Sequence, residues 1–256
     1  LHSTSRRQRQ MCIRDRENII RPNRAETTVY AYQKIIENHL DPLLGAVPLS
    51  KLSPKQIQEY YQTMTRTEGL SSNTIRRHHD LLSAALRMAV RQDMLRVNPM
   101  ERVEPPRPKL HEASYYTQEN LKVLYQLVEG HWLEMVVKVT AGLGLRREEI
   151  CGLKWESVDF QRRVVHIKEA RTAYGATVVQ KETKNRSSMR TLFMPDELYE
   201  LLRREKARQE QERAIRGGDY AASGHVVLDR EGLPYSPNAL SLSLIHISEP
   251  TRLRCI

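Results

Sequence analysis

The run AGLGLRREEICGLKWESVDF (141–160) combines a turn-permitting glycine, two adjacent arginines and three glutamates with a regular apolar spacing. Gly144 ends an apolar stretch and allows the chain to turn, and the spacing predicts a short helix from Arg146 to Leu153. Arg146 then stands at the helix start, and Glu149, three residues on and on the same face, is placed to hold it. Ile150 and Leu153 supply the buried side. A permanently charged planar fork at a helix start, oriented by a carboxylate, suits a phosphodiester oxygen. Spacing alone favours the plainer reading, a surface Arg–Glu pair, which is worth little.

Toward the C-terminus, three β-like runs are predicted at Val164–Lys168, Thr177–Lys181 and Arg190–Met194. A charged helix from Asp196 to about Arg216 follows, closed by Gly217-Gly218. A short strand is expected at His225–Leu228, with a turn at Gly232-Leu233-Pro234. Toward the N-terminus, Thr117 caps a helix carrying Leu121, Leu124, Leu127 and Val128, and a second helix runs from about Trp132 to Leu143. Upstream of these, residues 100–114 are proline-rich and without period, and read as an interdomain linker. Residues 17–99 read as a separate helical domain. Val29, Tyr32, Ile35, Ile36 and Leu40 form a helical stripe, and Pro42, Gly45 and Pro48 predict a turn over 41–52. Ser53-Pro54-Lys55-Gln56 has the form of a capping box with proline at the first helical position, before Ile57, Tyr60, Tyr61 and Met64 on one side. Ser72 or Asn73 is expected to cap a long helix to about Met94, with Ile75, Leu82, Leu86, Ala89 and Val90 inward. His78 and His79 are adjacent rather than at ligand spacing, so no metal is expected there.

The two ends stand apart from this pattern. MCIRDR (11–16) can be encoded by ATG TGT ATA AGA GAC AGN, whose reverse complement, CTG TCT CTT ATA CAC AT, translates as the LSLIHI of 242–247. The string resembles the transposase end used in sequencing-library adapters, so residues 1–16 and 242–256 are expected to be translated adapter and are excluded from fold reasoning. The first residue is Leu1 and not Met, in keeping with a fragment. The exclusion changes the charge. The whole chain carries 41 basic and 31 acidic residues, net +10; the first segment holds five arginines and one aspartate and the last two arginines and one glutamate, which leaves 34 against 29, net +5. A polyanionic partner is still indicated, with modest, salt-dependent affinity for nonspecific duplex. Cys12 and Cys255 leave with the ends, and Cys151 alone supports no disulfide framework. No apolar run is long enough for a membrane span.

The run 141–160 resembles the first catalytic box of the tyrosine recombinase (phage integrase) family, usually TGLRxxELxxLxWxDID, in Gly144-Leu145-Arg146, Glu149, Leu153, Trp155 and Asp159. KETKNRSSMRTLFMPDEL (181–198) resembles the family's β-hairpin PKTKSSRRTIPLP and the helix after it, and residues 44–61, 69–90 and Asn98-Pro99 resemble its core-binding domain. The fold implied is mainly α with a small antiparallel β-sheet: a helical core-binding domain (17–99), a linker (100–114) and the N-terminal part of a mixed α/β catalytic domain (115–241).

The resemblance implies a site-specific recombinase or integrase that breaks and rejoins DNA through a 3′-phosphotyrosyl intermediate. Arg146 would grip the scissile phosphate, with Arg147 a less favoured candidate, and Glu149 would support it. Lys184 would protonate the leaving 5′ oxygen, with Lys181 the alternative if the hairpin register is shifted. Asn73, Thr74, Arg76, Arg77 and Arg186 would approach DNA, although Arg76 and Arg77 also fit a solvated helix face and Lys184 and Arg186 a hairpin turn. No cofactor, metal or ATP is implied; the implied partner is double-stranded DNA, bound as a homotetramer, in the cytoplasm of a bacterial or phage host. The second box (His-x-x-Arg) and the nucleophilic tyrosine do not occur by Ser241, so no tyrosine of this chain is assigned as nucleophile and the fragment is expected not to cleave. The helix 132–143 and the sheet are expected to be left partly uncovered by the same truncation. The alternative is a non-enzymatic DNA-binding regulator derived from an integrase.

Overall fold

A computed structural model describes residues 24–110, 115–182 and 189–248. The chain divides into two compact units, 1–113 and 114–256. Among the described residues, no helix is long and apolar enough to cross a membrane.

The first unit is helical. Helix α1 (Glu26–Ile35) widens into one turn of π-helix over Ile36–Leu40 and continues as α2 (Asp41–Leu44). The widening comes immediately before Pro42, which has no N–H for an intrahelical bond. The turn predicted from Asp41 onward therefore begins only at Gly45. Helix α3 (Pro54–Arg66) starts as its sequence dictates: the Ser53 hydroxyl accepts from the Gln56 N–H, the Gln56 side chain accepts from the Ser53 N–H, and Ile57, Tyr60, Tyr61 and Met64 are buried. Helix α4 (Ser72–Arg91) is capped by Ser71, one residue earlier than expected, whose hydroxyl accepts from the Thr74 N–H. His78 is buried in this helix although it is polar. Its Nδ1 lies 2.7 Å from the Tyr60 hydroxyl, and His79 Nδ1 lies 3.0 Å from that of Tyr61, so two successive Tyr–His bonds hold α3 and α4 in register.

The proline-rich segment is not a free linker along its whole length. A 3₁₀ turn at Pro99–Arg102, capped by the Asn98 side chain, buries Met100, and Val103 is buried just after it, both in the core of the first unit. Two large apolar side chains a turn apart outweighed the local proline signal.

The second unit is built on α6 (Leu133–Leu143), preceded by α5 (Gln118–Leu127), which Thr117 caps. Leu133, Met135, Val136, Val137, Val139 and Leu143 of α6 are all buried. This corrects the expectation that α6 is left uncovered: α8 (Asp196–Arg216) packs on it so closely that a Cβ at Gly142 would lie 2.7 Å from Leu198. Among the described residues, Trp132 at the start of α6 is 38% exposed and Phe193 66%.

Helix α7 (Arg147–Gly152) leads into β1 (Val158–Asp159), which pairs antiparallel with β2 (Val164–Ile167); β2 pairs in turn with β5 (Arg190–Phe193), setting Val165 opposite Leu192 and Ile167 opposite Arg190. A separate ribbon joins β3 (Glu169–Tyr174) to β4 (Thr177–Glu182) through a two-residue turn in which Gly175 has φ 56°. Strand β3 is not among the runs predicted from sequence. EARTAY has no apolar alternation because every residue of it is half-buried. The strand expected at His225–Leu228 is not one: its backbone makes only isolated bridges, Lys154 with His225 and Leu228 with Pro234. Helix α9 (Pro237–Ser248) buries Leu240 and packs Leu244 and Ile247 against the core, so the structure is helical over part of the segment set apart as adapter.

Candidate active site

Gly144 closes α6 in the left-handed conformation, φ 60°, a position suited to glycine. The chain reverses there, and Arg146 becomes the N-cap of α7 rather than its first helical residue. Glu149 sits at the third position of that helix and accepts from the Arg146 backbone N–H at 2.8 Å, which fills one of the orphan donors of the helix start. Its other oxygen accepts from Arg146 Nη1 at 2.9 Å. The expected arginine–carboxylate pair is therefore present, but only its arginine is at the surface: Glu149 is only 3% exposed.

A second guanidinium, absent from the sequence reading, completes the cluster. Arg190, the first residue of β5, places Nη1 2.9 Å from Glu149 Oε1 and Nη2 2.8 Å from Oε2. Nη2 also donates to the Gly144 carbonyl at 3.3 Å. Burial alone would raise the Glu149 carboxyl, but the Arg190 fork and the backbone and side-chain N–H groups of Arg146 outweigh it and hold the group down at about 2. Arg190 is raised in turn, chiefly by its bonds to Glu149. The signal that could have found Arg190 was the demand side: a buried carboxylate at a helix start needs more acceptor bonds filled than one neighbouring arginine can supply.

The two sequence candidates for the phosphate-facing arginine differ in what occupies them. Arg147 gives Nε and Nη2 to Glu148 and Nη1 to Ser241. The Arg146 side chain is 69% exposed and gives Nη1 to Glu149.

The β3–β4 ribbon is tied to the far end of α7. A side chain at position 152 would collide with the backbone of Ala170 and Arg171, its Cβ 2.8 Å from the Arg171 nitrogen, so Gly152 is what lets β3 cross the helix end. Gln180, on β4, donates to the Gly152 carbonyl at 3.2 Å and to the Glu169 carboxylate. Its amide oxygen accepts from His225 Nε2 at 2.7 Å, and Lys154 pairs with Glu169 at 3.0 Å. Burial first, then the Arg171 charge, lower the His225 pKa and favour the neutral ring. Lys181 lies on β4 opposite Ala170. Lys184 and Arg186 lie outside the described residues.

In the first unit, the Asn73 amide exchanges two hydrogen bonds with the backbone of Lys109, at 2.9 and 3.1 Å, and Arg76 Nη1 donates to the Pro106 carbonyl at 2.9 Å. Thr74 is bonded to the cap residue Ser71, and Arg77 is exposed. Of these four residues, two thus hold the proline-rich segment against α4. Among the described residues, no group of three His, Cys, Asp or Glu side chains is placed to hold a metal.

The family profile described as "Phage integrase family" matches residues 114–241, half of the chain, and "Phage integrase, N-terminal SAM-like domain" matches residues 17–65. The chain belongs to the phage integrase family. Among curated relatives of this integrase-family chain, a "Tyrosine recombinase XerC-like" protein of Caldanaerobacter subterraneus subsp. tengcongensis is 26% identical over 220 residues, covering 79% of this chain and 56% of the relative. The chain spans about half the length of the curated relatives it matches. The fold is that of solved integrases. The Tn1549 transposon integrase in complex with transposon right end DNA superposes with TM-score 0.74 at 20% identity, over 99% of this chain and 81% of that one. A lambda integrase dimer bound to a COC′ core site gives TM-score 0.66 at 17% identity, over 100% and 82%.

Proposed function

We propose that the intact protein is a site-specific tyrosine recombinase that integrates or exchanges DNA segments, and that Arg146 is one of the groups that grip the scissile phosphate. The observation that carries the reading is the exposed Arg146 fork, held at a helix start by a buried carboxylate, in a chain of the phage integrase family. In the reaction a tyrosine oxygen, supplied by no residue assigned in this chain, attacks phosphorus to form a 3′-phosphotyrosyl bond while the bond to the 5′ oxygen breaks. Lys184 donates its proton to that leaving oxygen, and Arg146 stabilises charge on the non-bridging oxygens. A second 5′-hydroxyl reverses the step, so phosphodiester bonds are conserved and no ATP is consumed.

Asn73, Thr74, Arg76, Arg77 and Arg186 contact the DNA backbone or bases and set register. For Asn73 and Arg76 this requires that they exchange or share their bonds to the proline-rich segment. The protein works as a homotetramer on double-stranded DNA in the cytoplasm; the lambda integrase, solved as a tetramer bound to a Holliday junction, supports that assembly. The test is duplex binding by the full chain at low salt. Arg146→Ala is expected to weaken affinity roughly tenfold and to lower the slope of log affinity against log salt by about one contact. Equal affinity for the two proteins would overturn the reading.

A further inference from the structure

A carboxylate facing a guanidinium normally takes it with both oxygens, the fork-to-fork geometry. Arg146 is three residues from Glu149 and could close on it in that way, which would turn its donors inward. It does not: Glu149 Oε2 is taken by the Arg146 backbone N–H and by Arg190 Nη2, and Oε1 is shared between Nη1 of Arg146 and Nη1 of Arg190. Arg190 has the two-oxygen geometry and is 29% exposed, whereas Arg146 has one side-chain bond and is 69% exposed. Arg190 also donates to the carbonyl of Gly144, the residue on which the chain turns before Arg146.

We propose that Arg190 is a positioning residue: by occupying both oxygens of Glu149 and bracing the Gly144 turn, it keeps Arg146 from closing on that carboxylate and so presents the Arg146 fork to a phosphodiester. The inference rests on the reading of Arg146 as a phosphate ligand. In this role Arg190 itself touches no nucleic acid and acts through Arg146.

The test is a double-mutant cycle on binding of the full chain to a fluorescein-labelled mixed-sequence duplex at low salt, with Arg146→Ala, Arg190→Gln, Arg190→Lys and the two double variants. Arg190→Lys keeps a cation beside Glu149 but cannot span both oxygens, and it decides the matter should Arg190→Gln fail to fold. Arg146→Ala is expected to cost roughly tenfold in the wild-type background and no more than about twofold when Arg190 is already glutamine or lysine. A merely structural Arg190 would leave the Arg146 cost at its full size in both backgrounds, and that result overturns the positioning role while the phosphate reading stands. Loss of no affinity on Arg146→Ala in the wild-type background overturns the phosphate reading and this inference with it.

Discussion

Glu149→Ala is expected to lower the stability of the second unit by about 3 kcal/mol. The carboxylate is 3% exposed and accepts from the Arg146 backbone, from Arg146 Nη1 and from both terminal nitrogens of Arg190. Removing it leaves the start of α7 without its cap and two guanidinia without a counter-charge. Breaking a fully buried pair costs about 3–5 kcal/mol. The lower end applies because the Arg146 side chain, at 69% exposed, recovers its hydration. Both tryptophans of the chain, Trp132 and Trp155, belong to the second unit, so tryptophan fluorescence in urea reads that unit by itself. A midpoint unchanged in Glu149→Ala would contradict the central place given to this carboxylate.

The same group has a pH signature with a definite sign. The Glu149 pKa falls from 4.5 to about 2 on folding, so its contribution is fully present above pH 4.5 and is lost as pH falls toward 2.

The first unit carries the second large effect, and it acts in a higher pH window. His78 is buried against Tyr60, its ring 5.1 Å from that of His39, and burial followed by the His39 charge lowers its pKa from 6.5 to about 4. The folded state therefore binds this proton less readily than the unfolded chain. Stability is highest above pH 6.5 and is lost as pH falls toward 4, by up to about 3 kcal/mol for a shift of this size. A neutral ring accepts the Tyr60 hydroxyl proton at Nδ1; a second proton on the ring removes that acceptor. Urea unfolding by far-ultraviolet circular dichroism, with the second unit's share removed by tryptophan fluorescence, should show the loss. His78→Gln, which still accepts from Tyr60 but does not titrate, should flatten it. A first-unit stability independent of pH across that window would rule out the neutral buried ring.

What was legible beforehand follows from how local each interaction is. The capping box of α3 and its buried side chains Ile57, Tyr60, Tyr61 and Met64 depend on residues within one or two turns of each other, and sequence spacing carries all of it. So does the pairing of Arg146 with Glu149. Arg190 meets Glu149 across 41 positions, and no periodicity in either segment records that encounter. Met100 and Val103 were hidden by neighbouring prolines, whose conformational signal says nothing about whether the chain beside them finds a core. Strand β3 was missed because a ribbon half-exposed on both faces has no apolar alternation to display. Leu240, Leu244 and Ile247, the residues α9 turns to the core, fall on both sides of the boundary drawn at residue 241 on codon grounds.

In the proposed reaction Arg146 and Lys184 serve one phosphate. The direct measurement is duplex affinity at fixed low salt for the wild type, Arg146→Ala, Lys184→Ala and the double variant. Two cations on a single phosphodiester should each cost roughly tenfold when removed, and the double variant should lose less than the product of the two, with a coupling above about 0.5 kcal/mol. Losses that multiply in full would place the two side chains on separate phosphates and contradict the shared site.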